Sequence, residues 1–157
     1  MITIYNQNAL CHKVYLAGPF FTEEQKKTME VVELLAHMAE LDYFSPRLRC
    51  LCPPDATPEQ RAYTFNMNVN AIDLCDLVLA CIDDFDPGTM WELGYAFHAK
   101  RPVYAYSMVP GRGLNLMLAQ SCRGFLNGAG QLADFMPMNN KYVNFEAATP
   151  VHKGNII

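Results

Sequence analysis

Short, wholly apolar runs alternate along this chain with longer stretches whose apolar residues recur every three or four positions, and that alternation predicts its elements. Val14 to Ala17 reads as a strand, ended by Gly18 and Pro19 because neither residue readily continues a central strand. From Thr22, with Glu23 and Glu24 in the first turn, Met29, Val32, Leu35, Ala36 and Ala39 keep helical spacing and predict a helix to about Leu41. Tyr43 to Ser45 reads as a short strand, and Pro46 to Ala56, which has no period, as an irregular surface loop. Thr57, Pro58, Glu59, Gln60 form a capping box with proline at the first helical position, so a second helix begins there and runs to near Cys75, with Phe65, Val69 and Ile72 on its packed face.

Leu77 to Ile82 is continuously apolar and of strand length, as suits a central parallel strand covered on both faces. Asp83 to Gly88 reads as a loop, Thr89 to about Ala99 as a third helix, Pro102 to Ser107 as a fourth strand and Leu114 to Ser121 as another helix. Beyond Ser121 the pattern is weak. Strands alternating with helices predict the α/β class, a doubly wound parallel sheet flanked by helices and joined by right-handed crossovers. Ligands of such sheets bind beyond the carboxyl ends of the strands. Here those ends carry the Gly18–Thr22, Asp83–Thr89 and Met108–Gly113 loops.

At 157 residues, 51% of them hydrophobic, the chain fits one domain with its own core. No apolar run approaches the roughly 20 residues that span a bilayer, and the first ten residues lack the pattern of a secretory signal, so the expected location is cytoplasmic. Cys11, Cys50, Cys52, Cys75, Cys81 and Cys122 include no C-x-x-C pair and are expected to be reduced and structural. A net charge of −4 with scattered Lys and Arg offers no basic stripe, which argues against polymeric nucleic acid as a partner.

The candidate chemistry lies after the most apolar strand. Asp83, Asp84 and Asp86 sit on its loop and Glu92 follows in the next helix, so all four carboxylates could face one pocket. Two other readings stay open at this level. Thr89, Met90, Trp91, Glu92 is itself an S/T-x-x-E capping box, in which the glutamate only bonds the helix end. Clustered carboxylates can also hold magnesium beside a phosphate, but the chain has neither a G-x-x-x-x-G-K nor a G-x-G-x-x-G loop to cradle one. His12, His37, His98 and His152 include no pair at metal-ligand spacing, and no serine sits in a G-x-S-x-G elbow. No metal and no cofactor is expected.

Four segments in register resemble the nucleoside 2-deoxyribosyltransferase family: Tyr15 to Phe21, Cys75 to Ile82, Asp86 to Ala96, and Asn115 to Met117. The likeness spans roughly Lys13 to Gln120, and its most specific part is Asp86, Pro87, Gly88, Thr89, Met90, Trp91, Glu92, Leu93, Gly94, Tyr95, Ala96. It implies a Rossmann-like, flavodoxin-like sheet and an enzyme that moves 2-deoxyribose between bases by double displacement. Glu92 would be the nucleophile, Tyr15 its orienting hydroxyl, and Asp86 the group that bonds the base and handles its proton. A carboxylate suits an oxocarbenium-like centre because it both stabilises the charge and traps it covalently.

The same resemblance draws Gly18, Phe21, Asn68, Gly88, Asn115 and Met117 into the substrate site. Phe21 would stack on the base, and Asn115 would reach the 5′-hydroxyl from a neighbouring subunit. A homo-oligomer with shared sites, built on dimers and extending as far as a hexamer, follows from that. The implied partners are deoxynucleosides and free nucleobases.

Two positions depart from the family pattern. Asn68 stands where many members have an aspartate, and Pro46, Arg47, Leu48, Arg49, Cys50 replace a loop in which members often carry a base-binding glutamine. The alternatives carried with this reading are hydrolysis of deoxynucleosides or their 5′-monophosphates, and a non-catalytic nucleotide-binding module.

Overall fold

The computed structural model describes residues 13–138. Cys11, His12 and His152 lie outside that range. Among the described residues a five-stranded, wholly parallel sheet runs in the order β2-β1-β3-β4-β5, built from β1 (Lys13–Ala17), β2 (Asp42–Phe44), β3 (Leu77–Cys81), β4 (Val103–Ser107) and β5 (Gly124–Asn127). The helices are α1 (Glu23–Met38), α2 (Pro46–Arg49), α3 (Pro58–Leu74), α4 (Pro87–His98), α5 (Leu116–Ser121) and α6 (Ala129–Met138). This is the doubly wound α/β arrangement that the strand–helix alternation predicts. No helix among the described residues is long and apolar enough to cross a membrane.

Strand alternation divides the core between the two faces of the sheet. Val14, Leu16, Leu77, Leu79 and Cys81 pack with Met29 and Val32 of α1 and with Leu132 and Phe135 of α6. Tyr15, Ala17, Val78, Ala80 and Ile82 pack with Ile72 of α3, Leu93 and Ala96 of α4 and Leu118 of α5. The first strand therefore sends Tyr15 toward the α3–α4 side, and this decides where the site forms.

Several boundaries differ from the sequence reading. The Pro46–Ala56 stretch, expected to be irregular, begins with the short helix α2. The weakly patterned stretch after Ser121 forms β5 and α6, which close the sheet edge and cover the α1 face. Helix α3 keeps its capping box at Thr57 and Gln60 but not its predicted packed face: Ala71 and Ile72 are buried, whereas Phe65 is 52% exposed. Seventeen helical residues extend about 25 Å, longer than the five-residue strands beside them, so only the end of α3 reaches the sheet. The rest overhangs the carboxyl ends of the strands.

Candidate active site

A pocket of about 240 Å³ opens at the carboxyl end of β1, between α2, α3 and α4. Glu92 stands in its wall. Helix α4 begins at Pro87, with Asp86 as its cap, because the Asp86 carboxylate accepts from the Thr89 backbone N–H at 2.8 Å and from the Thr89 hydroxyl at 3.0 Å. The helix thus starts earlier than the predicted Thr89, and Glu92 lies a turn too far along to close a capping box. Its Oε1 instead accepts from the Tyr15 hydroxyl at 2.6 Å, across 77 residues of sequence.

Tyr15 is fully buried and stacks on Phe44, with ring centroids 5.6 Å apart. Burial, followed by the Glu92 charge and hydrogen bond, raises its pKa, so the phenol stays protonated and remains a donor. Burial also pushes the Glu92 carboxyl up to about 7; the Tyr15 hydrogen bond works against that rise and the charge of Asp86 adds to it. A carboxylate poised near neutrality beside a fixed donor is the kind of perturbed group that marks functional sites.

Gly18, Phe21, Asn68, Asp86 and Gly88 line this pocket with Glu92. Phe21 is 71% exposed and stacks on Phe20 at 5.3 Å. The Asn68 Oδ1 is buried in the wall without a hydrogen-bond partner. Gly18 is required by close packing, since a Cβ there would fall on the Met29 sulfur and within 3.2 Å of the Cys81 Cβ. Gly18→Val is therefore expected to lower stability by about 1–3 kcal/mol, read as an earlier midpoint in urea unfolding. An unchanged midpoint would mean that the β1–α1 turn relaxes freely.

Other expected residues lie elsewhere. Asp83 and Asp84 do not join Glu92. Continuing the alternation of β3, Asp83 turns to the α1 side, where it accepts from the Ser107 hydroxyl and from the Met108 N–H at 2.9 Å and pairs with Arg112 at 3.6 Å. Asp84 accepts from Gln25 at 2.8 Å. The single four-carboxylate pocket is thus a misreading: two carboxylates belong to each side of the sheet.

Asn115 and Met117 do not line the pocket of their own chain. The Asn115 side chain caps α5 by accepting from the Met117 N–H at 2.9 Å, and Met117 is 74% exposed.

Sequence reasoning named none of Phe20, Cys52, Thr64 and Thr89 as site residues and met Pro46 and Cys50 only in the loop that replaces a base-binding glutamine, yet all six line the pocket. Thr64 had an available signal, since it precedes Asn68 by one helical turn. Cys50 and Cys52 are free thiols placed here by a buried tie between α1 and the chain after β2. Glu33, only 5% exposed, accepts from the Ser45 hydroxyl at 2.6 Å and from Arg47 Nε at 3.1 Å. Arg47 is thereby drawn toward α1, and the loop presents Pro46, Cys50 and Cys52 to the pocket.

A doubly wound parallel sheet with a half-buried glutamate held by a strand tyrosine at its carboxyl edge defines the class. The chain belongs to the nucleoside 2-deoxyribosyltransferase family, whose model matches residues 14–121. Its structure is similar to that of the 2-deoxyribosyltransferase of Bacillus psychrosaccharolyticus, at 30% identity over 85% of this chain and 95% of that one, with a TM-score of 0.74. It is also similar in fold to the 2-deoxyribosyltransferase of Leishmania mexicana, at 20% identity over 71% of this chain and 73% of that one, with a TM-score of 0.51. A conserved protein of Enterococcus faecalis shares the fold at 19% identity, over 86% of this chain and 92% of that one, with the same TM-score of 0.51. Among curated protein sequences, none matches this chain. Family and neighbours together indicate a nucleoside deoxyribosyltransferase or a related glycosyl-transferring enzyme.

Proposed function

We propose that this protein exchanges the base of 2-deoxyribonucleosides through a covalent ester on Glu92, without a cofactor. The observation that carries this reading is the hydrogen bond from the buried Tyr15 hydroxyl to Glu92, which lines a pocket together with Asp86. Tyr15 occupies Oε1 and leaves Oε2 as the attacking oxygen. As the carboxylate approaches the anomeric carbon, the C–N bond breaks, its electron pair leaves with the base, and a deoxyribosyl ester forms. A second base then attacks the same carbon and regenerates the carboxylate.

Asp86 commits Oδ2 to the helix cap, so Oδ1 is the oxygen left to bond the base and handle its proton. Asn68, an amide, can bond the base but cannot pass a proton. Phe21, on the rim, offers a ring face for stacking. The exposure of Leu116 and Met117 next to Asn115 supports a homo-oligomer in which this segment completes a neighbour's pocket at the sugar 5′-hydroxyl.

Thymidine incubated with adenine is the direct test. Deoxyadenosine and thymine are expected in equal amounts, followed by chromatography. Release of free deoxyribose at a rate indifferent to adenine would instead make the protein a hydrolase.

A further inference from the structure

Another pocket, of about 290 Å³, opens at the amino end of the sheet, where α4 and α5 stop and β4 and β5 begin. Lys100, Arg101 and Arg123 line it with Phe97 and Gln120, and no carboxylate does. The chain as a whole carries a net charge of −4, so three cations gathered in one cleft do not follow from its composition. Among the described residues none of the three makes an ion pair. Lys100 lies over the Phe97 ring, 5.7 Å from its centroid. The Arg101 Nε is buried without a hydrogen-bond partner.

Basic residues after a helix commonly offset the partial negative charge of its end, about half a unit per helix. At these two ends the last carbonyls are already bonded. Those of Tyr95, Ala96 and Phe97 accept from the backbone N–H groups of Ala99, Arg101 and Lys100, and that of Leu118 accepts from the Cys122 N–H. The Ser121 hydroxyl also bonds to the Met117 and Leu118 carbonyls. Two half-charges leave about two of the three positive charges without an answer. A buried guanidinium N–H that meets no acceptor also costs free energy, which an incoming oxygen recovers.

The cleft offers such an oxygen donors whose roots are fixed. The Arg101 N–H bonds to the Ala96 carbonyl at 2.9 Å, and the Arg123 N–H to the Val103 carbonyl at 2.7 Å. Guanidinium groups take phosphate oxygens two at a time, and Lys100 adds a point charge. The volume lies just under the range of about 300–1,000 Å³ usual for small-molecule sites, which favours a compact, highly charged occupant. We infer that this pocket binds a polyphosphate anion, free or as the phosphate chain of a nucleotide. Glu92 stands at the carboxyl ends of the strands and this cleft at their amino ends, so the anion is not the reacting substrate and the inference does not depend on base exchange.

Calorimetric titration of the full chain with pyrophosphate, at low ionic strength and without substrate, tests this. One pyrophosphate per chain is expected to bind. Affinity should fall at least about tenfold in the double variant Lys100→Gln, Arg123→Gln, whose exposed positions spare the fold. A parallel titration with dATP separates the two sources of the anion. Tighter binding than pyrophosphate, weakened in the same variant, assigns the cleft to the phosphate chain of a nucleotide, and weaker binding assigns it to free polyphosphate. No saturable binding of pyrophosphate by the wild type overturns the inference, and so does equal affinity in the double variant.

Discussion

Glu92→Ala is expected to abolish base exchange, with kcat lowered at least about ten-thousandfold, because no other group in the pocket can form the ester. Asp86, the other carboxylate there, is tied to the start of α4 by two hydrogen bonds and does not have the Tyr15 donor. Glu92→Gln should be as inactive, since an amide oxygen cannot release the sugar as a carboxylate does. It also separates chemistry from folding.

Burial raises the folded pKa of Glu92 from 4.5 to about 7, which means that the native state disfavours its charge. The native stability associated with the neutral acid is complete below about pH 4.5 and is lost as pH rises through about 7. Glu92→Gln never carries the charge. It should melt several degrees above the wild type at pH 8, from a difference of about 2–3 kcal/mol, and no higher at pH 4. An inactive glutamine variant with that pattern places its defect in the reaction. Transfer at the wild-type rate by either variant would remove Glu92 from the mechanism.

The second large effect is on the pH dependence of turnover. The attacking species is the carboxylate, so kcat/KM should fall about tenfold for each pH unit below the Glu92 pKa of about 7. The Tyr15 hydroxyl lowers that pKa by donating to the charged form, while burial and the Asp86 charge raise it. Tyr15→Phe removes the donor and keeps the ring that stacks on Phe44. Its acid limb should therefore move to higher pH, making the variant weaker relative to wild type at pH 6 than at pH 8. Rates measured from pH 5 to pH 9 on both proteins test this. A limb that stays in place in Tyr15→Phe would mean that the phenol supports the fold and not the carboxylate.

The strands, the major helices and the edge of the sheet where a ligand would sit are legible in the chain because periodicity and turn residues are local. Glu92 shows the limit of local pattern. Thr89, Met90, Trp91, Glu92 satisfies a capping box, yet the Asp86 carboxylate takes the capping position and frees Glu92 to meet Tyr15. Only the register of distant segments separates those readings. Asp83 and Asp84 went astray for the opposite reason: proximity in sequence suggested one cluster with Asp86 and Glu92, but both turn to the α1 side, where the Met108 N–H and the Gln25 amide donate to them.

Cys50 and Cys52 could not be read as pocket walls, because their placement depends on Glu33 drawing Arg47 toward α1. β5 and α6 were hidden by weak periodicity, since both are short and packed largely by contacts distant in sequence. Asn115 is capping in its own chain, and no pattern within one chain can reveal what it meets in another.

Trapping the covalent intermediate tests the role of Glu92 directly. Protein mixed with a 2-deoxyribonucleoside, without acceptor base and quenched in acid, is digested and analysed by mass spectrometry. With Glu92 as nucleophile, one base is released per occupied site and the peptide that contains Glu92 gains the mass of one deoxyribose less one water. Base exchange with no adduct at any time after mixing, or an adduct on a peptide without Glu92, would contradict it.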